Sequence, residues 1–184
     1  MSQLQEKESI LQDRINALET SLNTMSSLTD NTFCLKELPA RHCVQLNEYI
    51  TRDEEMDLII KKLHQKHENK IRDLGNLTIG AFLSMPSIEK GIANVYDSVF
   101  FVLESLSAET QEYDFILPEG HYLSYFYRGS YEQNARRVME MTSYLNDSGY
   151  TGDREPFELF TIDNRDTMKT DEFLTEIQIY LGGN

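Results

Sequence analysis

Pro118, Gly120, Gly129 and Gly149 cut the stretch from Leu117 to Ile162 into three pieces with different periods. His121 to Tyr127 is aromatic-rich, the composition of a half-buried pleated surface. Tyr131 to Asn146 carries Val138, Met141, Tyr144 and Leu145 at helical spacing, and that face is expected to point inward. Phe157 to Ile162 is apolar again and reads as a strand. Any fold of this chain must therefore set an amphipathic helix between two strands.

The same order occurs earlier in the chain. Phe33 to Leu38 reads as a strand, Pro39 as a turn, and Arg41 to Tyr49 as a second strand. A helix follows from about Asp53 to Lys70, with Met56, Ile59, Ile60 and Leu63 on its apolar stripe. Asp53, Glu54 and Glu55 stand in its first turn, where the helix dipole favours acids. Leu77 to Ser84 and Asn94 to Glu104 look like strands joined by a loop with Pro86 and Gly91. Glu112 to Leu117 and His121 to Tyr127 are expected to form a hairpin. Phe157 to Ile162 and Phe173 to Leu181 close the domain, linked by the polar loop Asp163 to Asp171.

Strand, helix, strand, strand thus runs from 41 to 104 and again from 121 to 181, without convincing residue identity between the halves. The expected fold class is α+β. Duplicated strand-helix-strand-strand units form one antiparallel sheet with two helices on one face. The second face, or the cleft between the units, is left for a ligand.

Residues 3 to 25 are polar and strongly helical, without Gly or Pro. Leu4, Leu11, Leu18 and Met25 repeat every seven residues, and Ile15 and Leu22 fill the alternate seam positions, the pattern of a coiled coil. A single helix this short is marginal in water, so it needs a partner, either another chain or its own domain. The narrow seam and the Gln, Glu, Asp, Asn and Ser around it favour pairing between chains. The polar breaker Ser26 to Asn31 separates a dimerisation helix, 1–28, from a globular domain, 32–184.

With 40% hydrophobic residues, ten Tyr and nine Phe, the domain can build a core without disulfide or metal. No apolar run approaches the roughly 20 residues that span a bilayer, and no segment has the order of a signal peptide. A soluble, cytoplasmic protein with no membrane partner is expected. Cys34 and Cys43 fall on what read as neighbouring strands, within reach of a disulfide, but two cysteines in such a chain are the pattern of buried reduced thiols. A net charge of −14 argues against nucleic-acid binding by this polypeptide. It suits a cationic ligand and equally serves solubility.

Glu158 is the leading site residue. Strand alternation puts it on one face with Phe160 and Ile162. A carboxylate on such a face is partly desolvated, and its pKa rises when no partner is present. It pairs with Arg128, Arg136 or Arg137, faces solvent, or meets a lipophilic cation among aromatic rings. Tyr96, Phe100, Tyr122, Tyr125, Phe126, Tyr127, Tyr131 and Phe173 are the rings available, each an ordinary core residue by default. Tyr131 stands out because Gly129 and Ser130 turn the chain just before it. His64 and His67 are three apart on the first helix, with His42 and Cys43 upstream. A solvated face accounts for them better than a metal site, since no further ligand stands at recognisable spacing. No phosphate loop, nucleophile elbow or CxxC motif is present. No cofactor and no enzymatic activity are expected.

An ordered set of motifs resembles the gyrase-inhibitor-like effector-binding domain across about residues 32 to 181. The set is Leu117-Pro118-x-Gly120-x-Tyr122, Gly129-x-Tyr131, Gly149-Tyr150, Pro156-Phe157-Glu158-Leu159-Phe160 and Thr175-Glu176-Ile177-Gln178-Ile179. Phe33-x-Leu35-Lys36-x-Leu38-Pro39-Ala40-Arg41 resembles that domain's first hairpin. With a coiled-coil helix before it, the chain resembles the C-terminal part of MerR-family multidrug-sensing transcription regulators of the BmrR type.

The resemblance implies a homodimer through the helix and bulky lipophilic, cationic drugs as ligands. Promoter DNA would be bound only through an N-terminal domain missing from this chain. It carries the sensing carboxylate to Glu158 and a ring to Tyr131, and it places an acid and an aromatic near Asp171 and Phe173, where Phe173 lacks a hydroxyl. The expected ligand-binding set is Glu158, Tyr131, Tyr96, Phe160, Phe173, Tyr127 and Phe100. A small-molecule hydrolase using Glu158 as base, and a protein-binding inhibitor module, are the alternatives; the coiled coil stands against both.

Overall fold

The computed structural model describes residues 33–68, 77–103, 112–151 and 155–183, together with Leu4, Gln5, Glu8, Leu11, Gln12, Ile15, Asn16 and Glu19. The chain divides into two units, Met1–Thr32 and Phe33–Asn184. The eight described residues of the first unit are helical. Leu4, Leu11 and Ile15 are exposed in the single chain. Leu18, Leu22, Met25 and the breaker Ser26 to Asn31 lie outside the described residues.

The second unit is built on eight strands: β1 (Cys34–Leu38), β2 (Arg41–Leu46), β3 (Thr78–Leu83), β4 (Tyr96–Val102), β5 (Phe115–Leu117), β6 (Gly120–Arg128), β7 (Phe157–Ile162) and β8 (Leu174–Gly182). They form one sheet in the order β1-β6-β8-β7-β3-β4-β2-β5, and all its pairings are antiparallel. The expected duplication is visible in that order. Counted outward from the central β3–β7 pair, each half presents its second, third and first strand: β3, β4, β2 on one side and β7, β8, β6 on the other.

The two expected hairpins do not form. β1 pairs with β6 rather than β2, and β5 pairs with β2 rather than β6, so each half lends an edge strand to the other. A Leu-Pro pair marks both crossings, Leu38-Pro39 and Leu117-Pro118, an echo that escaped the sequence comparison of the halves. Proline lacks the N–H that a continuing ladder requires, so the chain leaves one strand at each pair and enters another. Leu38 and Arg41 are three residues apart, at most about 11 Å along the chain, yet their strands stand first and seventh in the sheet. The sheet must curl until its ends meet at these corners. Cys34 and Cys43, on non-adjacent strands, are free thiols, and burial pushes Cys43 up to about 12.

Helices α1 (Asp53–Lys66), α2 (Met85–Glu89) and α3 (Asn134–Asp147) share one core with one face of the sheet. In α1, Ile59 and Leu63 are buried and Met56 and Ile60 pack against them, as the apolar stripe predicts. Thr51 donates its N–H and hydroxyl to Glu55 at 2.9 and 3.2 Å, which secures the first turn. α2 replaces part of the loop expected around Pro86; Pro is well placed in a first turn, where no N–H is needed. α3 buries Val138, Met141 and Leu145, but Tyr144 is exposed and meets the Phe33 ring at 4.8 Å instead of pointing inward. Among the described residues no helix is long and apolar enough to cross a membrane.

Candidate functional site

β7 lies at the centre of the sheet, between β3 and β8, and Glu158 stands opposite Ala81 on one side and Ile177 on the other. Ala81, Ile177 and Phe160 belong to the core under the helices, so Glu158 is held on the helix-covered face and is 0% exposed. Gly80 allows the central strands to close here. A side-chain carbon on it would stand 2.3 Å from the Phe100 ring and 2.8 Å from the Glu158 carbonyl oxygen.

Two tyrosine hydroxyls meet the buried carboxylate. Tyr96 donates to Oε2 at 2.8 Å and Tyr127 to Oε1 at 2.5 Å. Burial raises the Glu158 carboxyl to about 7, and the bonds from Tyr127 and Tyr96 and the Asn134 amide restrain that rise. Burial and then the charge of Glu158 push Tyr96 and Tyr127 well above the ordinary phenol range, so both hydroxyls stay protonated and act as donors.

The three candidate arginine partners are engaged elsewhere. Arg137 bonds Glu140 and Gln133, Arg136 lies 3.8 Å from Glu140, and Arg128 reaches the Glu172 carbonyl. Among the described residues no Lys or Arg forms an ion pair with Glu158. An ionised carboxylate in this position is therefore stabilised only by neutral donors.

Gly129, at φ 101, turns the chain after β6 and bonds its N–H to the Phe173 carbonyl. Ser130 then accepts from the Glu132 N–H and caps a short 3-10 turn, Tyr131–Gln133. This local chemistry sets the partly exposed Tyr131 ring against Phe173, stacked at 5.6 Å, and against Phe160 at 5.4 Å. Phe160 also meets Tyr96 edge-on at 6.4 Å. The structure thus brings Glu158, Tyr96, Tyr127, Tyr131, Phe160 and Phe173 together.

Phe100 is not with them. A register shift between Phe82 and Leu83 pairs Phe82 with Ser98 but Leu83 with Tyr96, leaving Asp97 as the extra residue of a bulge. Simple alternation would put Tyr96 and Phe100 on one face. The bulge separates them, and Phe100 packs on the opposite face with Phe82, Phe115 and Phe157.

Two further residues at the site were not foreseen. Asn134, fully buried at the start of α3, donates to the Tyr96 hydroxyl at 3.2 Å and accepts from the Asn94 N–H at 3.0 Å. Asn94 adopts φ 59 and gives its side-chain amide to Asp53, in the first turn of α1, at 2.9 Å. A continuous chain of hydrogen bonds therefore runs from Glu158 through Tyr96, Asn134 and Asn94 to α1. Burial and then the charge of Asp163 raise the Tyr131 hydroxyl, and Asp163 is itself buried and paired with Arg165 at 2.9 Å. Neither Asn nor Asp stands out in a polar sequence without the fold that gathers them.

This frame matches the GyrI-like small-molecule-binding domain over residues 32–181, and the chain belongs to that family. Two solved structures share the fold. EcmrR in its DNA complex is 13% identical at TM-score 0.62, with 98% of this chain and 70% of that one covered. The EcmrR C-terminal domain alone is 13% identical at TM-score 0.58, covering 83% and 98%. A weaker likeness, TM-score 0.45 at 16% identity over 83% of this chain and 94% of the other, is to SAV2435 bound to tetraphenylphosphonium. No curated protein matches in sequence.

Proposed function

We propose that the chain is the ligand-sensing and dimerisation part of a MerR-type transcription regulator, and that it binds bulky lipophilic cations against Glu158. The observation that carries this reading is a wholly buried carboxylate with no basic partner among the described residues, ringed by Tyr96, Tyr127, Tyr131, Phe160 and Phe173. A cation entering there supplies the missing countercharge, and the rings add cation–π and dispersion attraction. One point charge and several flat rings impose little directionality, so many cation shapes fit. Membership of the GyrI-like family supports the assignment to small-molecule binding, and the fold shared with EcmrR, solved in a DNA complex, supports a place in a transcription regulator.

Occupation of the site would compete with Tyr96 for Glu158. The chain from Tyr96 through Asn134 and Asn94 then carries the change to Asp53 and α1. The shift produced can be no larger than the ligand's differential affinity for the two arrangements. Residues 1–28 would pair between two chains through Leu4, Leu11, Ile15 and the seam positions that follow, and DNA would be bound by a separate domain.

Equilibrium binding of tetraphenylphosphonium and of a neutral isostere to wild type and Glu158→Gln tests the reading. Cation binding lost in the variant is the expected result. Equal binding of the neutral compound, or undiminished binding to the variant, refutes it. Time-dependent consumption of ligand by wild type alone would transfer Glu158 to the role of a hydrolytic base, with Tyr96 and Tyr127 beside it.

A further inference from the structure

The face of the sheet opposite Glu158 carries a second polar group that ligand sensing at Glu158 does not use. Cys43, Phe100, Leu117, Tyr122, Phe157 and Leu159 pack there, around the corners where the Leu-Pro pairs cross between the sheet ends. Arg41, the first residue of β2, holds its guanidinium 4.9 Å from the centre of the Tyr122 ring and 5.8 Å from that of Phe157. Its Nε and Nη2 are buried and have no hydrogen-bond acceptor. Those two N–H groups form one edge of the guanidinium, the fork that takes both oxygens of a carboxylate side-on.

A second orphan lies on the same face. Gln178 is 2% exposed and donates Nε2 to Glu176 at 2.8 Å, while its buried Oε1 has no donor. The register sets Gln178 directly opposite Phe157 on β7 and Ser124 on β6, so it neighbours the rings beneath Arg41. The remaining charges nearby cancel. Lys36 pairs with Glu176 at 2.7 Å, and Ser124 donates to the same Glu176 oxygen at 2.6 Å. Arg41 forms no ion pair among the described residues, in a chain of net charge −14. Buried charged donors and amide oxygens are rarely left without partners, because their desolvation is not repaid.

We propose that Arg41 and Gln178 form a second binding site, for a small organic carboxylate with an apolar body. The carboxylate lies on the Nε and Nη2 edge of Arg41, the body packs on Tyr122 and Phe157, and Gln178 Oε1 accepts from a hydroxyl or amide N–H of the ligand. The chemistry is opposite in sign to that at Glu158, and the two sites lie on opposite faces of the sheet, so each stands or falls alone.

The test is a titration of the whole ¹⁵N-labelled chain with 4-hydroxybenzoate, following the Arg41 Nε–H resonance, with 4-hydroxybenzamide as neutral isostere. Wild type should show a saturable shift with the carboxylate and little with the amide. Arg41→Lys keeps the charge but loses the fork, and should bind roughly tenfold more weakly by a ligand-observed measurement. Arg41→Met should not bind, and Glu158→Gln should bind as wild type does. No saturable shift in wild type overturns the proposal. So does equal affinity for the amide, undiminished binding to Arg41→Lys and Arg41→Met, or loss of binding in Glu158→Gln, which would place the anion at the other face.

Discussion

Replacing Glu158 with Gln keeps the volume of the side chain and removes its titration, so the pair isolates the stability cost of one buried carboxylate. In the folded chain the carboxyl stands at about 7, against an ordinary 4.5. Between those values the folded state keeps a proton that the unfolded chain has released, so stability falls as pH rises. Below about 4.5 both states hold the proton, and the penalty is absent. Above about 7 both have lost it, and the penalty is complete. At 1.36 kcal/mol per pKa unit, the rise amounts to roughly 3 kcal/mol for a group with no solvent to screen it.

Urea unfolding of wild type and Glu158→Gln, followed by circular dichroism across pH 4.5 to 8.5, reads this directly. Every other titrating group is common to the two proteins and largely cancels in the difference. The Gln variant should gain about 3 kcal/mol on wild type between the acid and alkaline ends. A difference that stays flat with pH, or that moves in favour of wild type, would refute the reasoning that Glu158 is desolvated and without a countercharge.

Tyr127→Phe deletes one of the two hydroxyls on Glu158. It should destabilise the fold by about 1.5–3 kcal/mol above pH 8, where the carboxylate is charged, and by less at pH 5. Asn134→Ala strips the Asn94 N–H and the Tyr96 hydroxyl of a partner. A loss of about 1–3 kcal/mol in chemical denaturation is expected, together with faster hydrogen exchange at Asn94. Gly80→Ala drives a carbon against the Phe100 ring and the Glu158 backbone. It should lower stability by about 1–3 kcal/mol, and an unchanged melting temperature would mean that β3 and β7 are not packed this closely.

The strands and helices of the second unit and the buried position of Glu158 were legible because their signals are local. Helical stripes and alternation are written in neighbouring residues, and a carboxylate in an apolar strand is conspicuous wherever the strand goes. What escaped was non-local. Two Leu-Pro corners look like hairpin turns until the partners of β1 and β5 are known, and each crosses to the other half of the sheet. Phe100 belongs to the expected ring set, but one bulged residue, Asp97, breaks the period of two that would hold it on the face of Tyr96. Asn134 and Asn94 carry no local signal, because nothing in their neighbours announces that the fold joins them to each other and to the buried Tyr96 hydroxyl. Two of the three candidate arginines have partners closer in sequence, Arg136 in Glu140 and Arg137 in Glu140 and Gln133.

Proton-linked calorimetry tests the central claim most directly. Tetraphenylphosphonium is titrated into wild type and Glu158→Gln at about pH 6.5, below the raised pKa of Glu158, in two buffers of different ionisation enthalpy. A cation seated on Glu158 lowers its pKa, so binding should release a fraction of a proton in wild type, tighten as pH rises through 7, and disappear in the variant. Binding that releases no proton, or that is the same in both proteins, would contradict a cation site built on this carboxylate.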